Sequence, residues 1–372
     1  MLKVQIDTRS KSYPVYIGDH LLSRMGPVLK NHLDARVILV VSDAHVAHLY
    51  AGRCRETLRQ AGYRVELAEI TGGEPHKSLE AAAGLYDRAI AAGLHRGDAF
   101  LALGGGITGD LAGFVAATYL RGISFVQVPT TLLAMVDSSV GGKVAVNHPR
   151  GKNLIGAFYQ PDAVFADTAV LQTLPEREFY AGLAEVVKCG LIGDPALFSR
   201  LEALSRRRRV EGKEILDRSG LLVKKLIARA VLLKRNVVRQ DETEEDLRRV
   251  LNLGHTFGHA LESSTGYTYY LHGEAVAWGL ALAARLARRL NLLQDLDEQR
   301  IIRIVRWLGP PAAPGFLTRD SLLQALQFDK KREGVDSIFV LPETIGRVSF
   351  YRSPPLDALR ATFDDFLQGR LA

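Results

Sequence analysis

The chain has 372 residues, a formal net charge of +7, 47% hydrophobic residues and two cysteines, Cys54 and Cys189. That length carries two domains and a sizeable core without covalent staples. Two distant thiols with no CxxC exclude a disulfide framework and a sulfur-ligated zinc, and a reducing, cytoplasmic setting is expected. The apolar stretch near Ala275 to Ala284 is about half of the roughly 20 residues that span a bilayer. The run from Arg206 to Arg209 reads as solvated surface. Neither a membrane nor a nucleic acid is therefore expected as a partner.

In chain order, MLKVQIDTRSKSYPVYIG alternates like a strand and carries no apolar signal core. Residues 36–43, 63–70, 98–106 and 123–129 are short β-branched runs that predict buried strands. Between them AHLYAGRCRETLRQAG and SLEAAAGLYDRAIAAG show helical spacing and end in Gly. Strand and helix in alternation predict a parallel sheet covered on both faces. From about residue 176 to 305 the chain turns rich in Leu, Ala, Arg and Glu with helical periodicity. A late hairpin is expected within 337–350. The fold class is thus α/β, with a Rossmann-like parallel-sheet domain over 1–172 and a mainly α-helical domain over 173–372.

Three groups of residues carry chemistry. Gly104, Gly106 and Gly109 satisfy GxGxxG between a strand and a helical run, the context that a dinucleotide pyrophosphate requires. No acidic residue follows between Asp110 and Asp137, so the usual ribose partner is missing. Asp43, Glu74 and Lys77 are candidates to hold the adenosine instead. Further on, Glu185 with His255 and His272 could hold one divalent metal and leave a position open, as a catalytic site needs. Spacing alone also tempts a ligand role for His259, which shares a helical face with His255; a helix start is expected near His255. Arg121, Lys143, Lys152 and Asn153 form a third group, cations and an amide among Gly and Val. They suit an anion such as phosphate, with Lys188, Lys234, Arg248 and the Lys330–Lys331 pair as later additions. Dinucleotide, metal and anion site together point to an enzyme that oxidises an alcohol on a phosphorylated substrate.

The motifs RGISFVQVPTTLLAMVDSSVGGKVAVNHPRGKNLIGAFYQP, GGGITGDLAGF, TLPEREFYAGLAEVVK, LNLGHTFGHALE and LHGEAVAWG resemble the signatures of the 3-dehydroquinate synthases, within the sugar phosphate cyclases, and the resemblance covers essentially the whole chain. It implies zinc or cobalt on Glu185, His255 and His272, with His259 beside the substrate and off the metal. It puts Asp137, Lys143, Asn153, Lys188, Lys234, Arg248 and Asn252 at substrate positions, and Arg121, Lys152, Asn153 and one of Lys330 or Lys331 on the phosphate. For NAD it implies Asp43, Glu74, Lys77, Gly105, Gly106, Asp110, Thr130, Thr131, Lys152 and Thr173. The implied reaction converts 3-deoxy-D-arabino-heptulosonate 7-phosphate to 3-dehydroquinate and phosphate, by transient NAD-mediated oxidation, elimination, re-reduction, ring opening and aldol closure. The implied assembly is a homodimer. Two departures stand out: Val144 replaces the family's frequent Thr in VGGKTAVN, and Asp246 replaces Gly just before Arg248, where a loop adjustment is expected. The rival readings are a sibling cyclase acting on another sugar phosphate, a polyol dehydrogenase that releases NADH, and a non-catalytic relative.

Overall fold

The computed structural model describes residues 1–206, 216–333 and 338–371, the side chains of 327–333 excepted. Contacts divide the chain into two compact units, Met1–Leu174 with Leu216–Thr243, and Pro175–Ile215 with Glu244–Ala372. Contact grouping thus gives part of the chain beyond residue 172 to the first unit.

The first unit is built on a seven-stranded sheet among the described residues. Its strands are β1 (Leu2–Asp7), β2 (Ser12–Gly18), β3 (Val37–Asp43), β4 (Arg64–Ile70), β5 (Ala99–Gly104), β6 (Ser124–Pro129) and β9 (Ala163–Asp167), in the order β1-β2-β9-β6-β5-β3-β4. Only β1 runs antiparallel to its neighbour; the other pairings are parallel. The four runs predicted as buried strands are β3 to β6; β4, at the sheet edge, is only partly buried, with Arg64 and Glu69 exposed, whereas β5 is buried at every residue. Such continuous apolar runs are what a sheet covered on both faces demands. The helices α1 (Met25–Leu29), α2 (Ala44–Val46), α3 (Gly52–Gln60), α4 (Leu79–Ala91) and α5 (Gly106–Thr118) belong to this unit. So does α8 (Leu221–Gln240), whose apolar face includes Val223, Leu226, Ile227, Ala230 and Val231 and which packs on β1 and β2. A separate hairpin of β7 (Lys143–His148) and β8 (Gly151–Phe158) packs on α5. Val144, one of the two departures, is buried in the core with Phe125, against the helix at Gly113.

The second unit is mainly helical. It holds α6 (Glu176–Gly193), α7 (Pro195–Ser205), α9 (His255–Ser264), α10 (His272–Arg289), α11 (Asp295–Leu308), α12 (Arg319–Glu333) and α13 (Leu356–Leu367), with a hairpin of β10 (Ile338–Thr344) and β11 (Arg347–Arg352). The apolar stretch near Ala275 to Ala284 is the middle of α10. That helix is buried nearly all round by α6, α9, α11, α13 and β10, which is why it lacks a polar face. No helix among the described residues is long and apolar enough to cross a membrane. Of the basic run, Arg206 pairs with Glu202, and Arg207 to Arg209 lie outside the described residues. The side chains of Lys330 and Lys331 lie outside them too. Asp246 sits at φ −150° and ψ −79°, outside the positive-φ region that favours glycine, so the loop before Arg248 does not call for glycine on that ground.

Candidate active site

In the first unit, the sheet order makes a crevice. From β3 the chain moves outward to β4, then crosses back to β5 and on to β6 and β9. The carboxyl ends of β3 and β5 therefore flank the point where the winding reverses, the usual place for a ligand in an open α/β sheet. Asp43 ends β3, and the glycine turn ends β5. Gly105 is the N-cap of α5 and no side chain caps that helix, so its first N–H groups are left for a ligand. The glycines have a second reason to be there: a methyl at Gly104 would strike Thr108, and one at Gly109 would strike Gln127. Thr130, at the end of β6, donates its N–H to the Gly104 carbonyl. Its buried hydroxyl has no hydrogen-bond partner among the described residues, which suits a site that a polar cofactor completes.

Polar groups gather at the same edge. Lys77 Nζ lies 2.5 Å from both Asp110 Oδ2 and Asn153 Oδ1. Asn147 donates to Glu74 Oε1 at 2.8 Å and accepts from the Asn153 N–H at 2.9 Å. Lys152 Nζ stands 3.8 Å from Glu74. Burial pushes the Asp110 carboxyl above the ordinary carboxylate range, against the pull of Lys77. The structure thus joins Glu74, Lys77, Asp110, Lys152 and Asn153, residues spread over some 80 positions of sequence, and Asn147 is the bridge that sequence reading missed. Asp43 caps α2 by accepting from the Val46 N–H. Thr131 caps the turn that follows β6, and Thr173 is hydrogen-bonded to the Tyr50 hydroxyl. Asp137 lies in a π-helical turn, Ala134–Ser138, a distortion frequent at functional sites. Lys234 of α8 grips it, with Nζ 2.7 Å from Oδ1 and 2.6 Å from the carbonyl. Lys143 is exposed at the start of β7. Arg121 precedes the start of β6, at the opposite edge of the sheet from Lys152 and Asn153.

The second unit brings the three expected metal ligands together. Glu185 lies inside α6, His255 opens α9 as expected, and His272 opens α10. His255 Nε2 is 3.7 Å and His272 Nε2 4.0 Å from Glu185 Oε1. Donor atoms about 2.0–2.2 Å from one zinc ion stand roughly 3.5 Å apart in a tetrahedron, so the set fits a single divalent ion. The Glu185 carboxylate is buried and neither oxygen accepts a well-directed hydrogen bond from the described residues; the Lys188 ammonium lies 2.5 Å from Oε2. His259, one turn along α9, is exposed, its ring 5.6 Å from that of His255. Arg248 is buried on the turn Leu247–Asn252, and Asn252 faces Glu244 at 3.4 Å.

Glycine packing makes this convergence possible. A methyl at Gly273 would overlap the carbonyl of Ala181, and one at Gly279 the carbonyl of Gly254. The first contact presses α10 on α6 beside His272, and the second presses it on the turn that ends at His255. Gly254 has φ +80°, so glycine is needed there for the chain direction as well. A Gly273→Ala variant is expected to lose about 3 kcal/mol, because backbone and not a side chain must yield. Its melting temperature and bound zinc should fall together; a variant that melts and binds zinc like the parent would contradict this packing argument.

Comparison with known proteins settles the family. Residues 67–181 match the model described as 3-dehydroquinate synthase N-terminal, and residues 182–332 match 3-dehydroquinate synthase C-terminal. The chain belongs to the 3-dehydroquinate synthase family. Among the 3-dehydroquinate synthases, that of Desulforamulus reducens is 48% identical over 94% of this chain and 96% of its own length. That of Methylococcus capsulatus is 44% identical over 98% and 99%. Among solved structures, the 2-epi-5-epi-valiolone synthase ValA of Streptomyces hygroscopicus, with NAD+ and Zn2+ bound, is 29% identical with a TM-score of 0.87, covering 98% of this chain and 99% of that one. A 2-deoxy-scyllo-inosose synthase complexed with carbaglucose-6-phosphate, NAD+ and Co2+ is 28% identical with a TM-score of 0.84, covering 98% and 100%. A glycerol dehydrogenase of Schizosaccharomyces pombe shares the fold at 18% identity, TM-score 0.67, over 99% and 92%.

Proposed function

We infer that this chain is an NAD- and divalent-metal-dependent carbon–oxygen lyase that converts 3-deoxy-D-arabino-heptulosonate 7-phosphate to 3-dehydroquinate and phosphate, the shikimate-pathway step. The observation that carries the reading is the buried Glu185 carboxylate with His255 and His272 on one oxygen and Lys188 on the other. When bound, NAD supplies a reversible hydride acceptor and the metal supplies polarisation of the alcohol being oxidised.

Individual residues have proposed roles. In the first unit, Asp43, Glu74, Lys77, Asp110, Thr130, Thr131, Lys152 and Thr173, with the backbone of Gly105 and Gly106, hold the dinucleotide. Lys152 and Asn153 hold the phosphate, where cation and amide steady the charge on the departing group. Asp137, Lys143 and Lys234 orient the substrate, and the grip of Lys234 keeps Asp137 in one position. In the second unit, Glu185, His255 and His272 hold the metal. Lys188 and His259 are the groups placed to move the hydroxyl proton, and Arg248 and Asn252 bind substrate. Arg121 is at the wrong edge of its own sheet for a phosphate contact beside Lys152, so that role falls to a second copy of the chain in a homodimer.

The test is phosphate release from 3-deoxy-D-arabino-heptulosonate 7-phosphate with NAD and zinc, before and after chelation. Release should be chelator-sensitive, match dehydroquinate formed, and leave no net NADH. Metal-loaded protein that releases none would favour another sugar phosphate, as for the sibling cyclases. Net NADH would favour a polyol dehydrogenase.

A further inference from the structure

We propose that Glu262 is a positioning residue for the metal centre, holding the His272 ring from behind so that Nε2 is presented towards Glu185. The proposal rests on the reading of Glu185, His255 and His272 as ligands. Glu262 lies on α9, seven residues after His255, and is 4% exposed. Its Oε2 stands 3.3 Å from His272 Nδ1, while Nε2 of the same ring faces Glu185 Oε1.

An imidazole that ligates a metal through one nitrogen carries its proton on the other, and that N–H needs an acceptor. A carboxylate can only accept, so Glu262 selects the tautomer with the proton on Nδ1 and also sets the ring's rotation. His255 is held in the same way by main chain, its Nδ1 being 3.3 Å from the Leu253 carbonyl. The two imidazoles therefore share one design, with Nδ1 tied back and Nε2 forward. They differ in that the tie on His272 is a side chain that mutation can remove. The backbone at His272 is secured separately, because Glu274 accepts from the Leu271 N–H at 2.8 Å and from Arg177.

Donor atoms of His259, Glu262 and His272 also lie within 4.8 Å of one another, so Glu262 has a rival role as a ligand itself. Two observations favour the positioning role. Both Nε2 atoms stand beside one oxygen of the buried Glu185, Oε1, and His259 is exposed.

The experiment measures Co2+ and Zn2+ affinity of the chelator-stripped full chain at one fixed pH, by chelator competition, together with the visible spectrum of the Co2+ form. Glu262→Ala is expected to weaken both metals by roughly 10- to 100-fold and to alter the Co2+ bands. Glu262→Gln keeps an acceptor oxygen but not the charge, and should lose only about threefold to tenfold. Wild-type affinity and spectrum in Glu262→Ala would overturn the proposal. Should that variant fail to fold by circular dichroism, Glu262→Gln decides, with a loss of about threefold to tenfold expected and wild-type affinity overturning it. His272→Ala separates the two levels: if it too keeps the metal, the ligand reading itself is wrong. His259→Ala should leave the affinity unchanged; a loss as large as that of Glu262→Ala would make Glu262 a ligand and overturn the positioning role.

Discussion

His272→Ala should release phosphate more than about a hundredfold more slowly than the parent, a deficit beyond that of losing an outer hydrogen-bond partner. The reason is geometric. The ligand set has one carboxylate and two imidazoles converging on one oxygen of Glu185, so removing one ring leaves two ligands for an ion that needs three fixed ones and an open position. Zinc content after dialysis should fall in parallel, while circular dichroism stays like the parent's, since His272 is only part-buried at a helix start. A metal-free His272→Ala protein with full turnover would remove the ligand assignment.

Lys77→Ala should cost the first unit about 3 kcal/mol near neutral pH, the low end of the loss expected when one partner of a buried ion pair is removed. Lys77 is 3% exposed and its ammonium serves both Asp110 and Asn153. Without it, Asp110 keeps a desolvated charge offset only by the weaker pull of Lys234. The pH dependence identifies the cause. Asp110 already sits above the ordinary range because burial disfavours its charge. A carboxyl whose pKa is raised by folding holds its proton more tightly when folded. It therefore favours the folded state at low pH, and that contribution is lost as pH rises from about 4, the unfolded value, through the folded one. Loss of Lys77 raises the folded value further and widens this window upward. Urea midpoints of parent and variant should accordingly converge as pH is lowered from 7.5 towards 5. A gap that stays constant or grows on acidification would point to lost packing instead.

The strands β3 to β6 were legible because each is a short, largely apolar run closed by a turn, and burial on both faces keeps β3 and β5 apolar almost throughout. The strand β9 was not, because AVFAD is five residues long and follows a Pro-Asp turn with no alternation to mark it. The β7–β8 hairpin was hidden by its own chemistry: KVAVNH alternates, but Lys143 in it and Lys152 and Asn153 in the next strand drew the segment into the anion group. Periodicity revealed the apolar face of α8 without revealing the neighbour, which is set by the sheet it covers. At the proposed metal centre, residue type and resemblance named Glu185, His255 and His272, whereas helical spacing alone pointed also to His259. The contact of Glu262 with His272 could not be read, since it joins two helices. Only its spacing from His255 and His259 along one helical face offered a signal.

The place of α8 bears on how the chain folds as it is made. The first unit is interrupted: its sheet ends with β9, but β1 and β2 are covered by a helix that begins at Leu221. A ribosome-bound chain cannot cover that apolar surface until about 70 further residues have emerged, at the several seconds that synthesis takes. The amino-terminal half therefore keeps an apolar sheet face uncovered during that interval of translation. A fragment cut after Leu174 should aggregate, and one that also supplies Leu216–Thr243 should stay soluble.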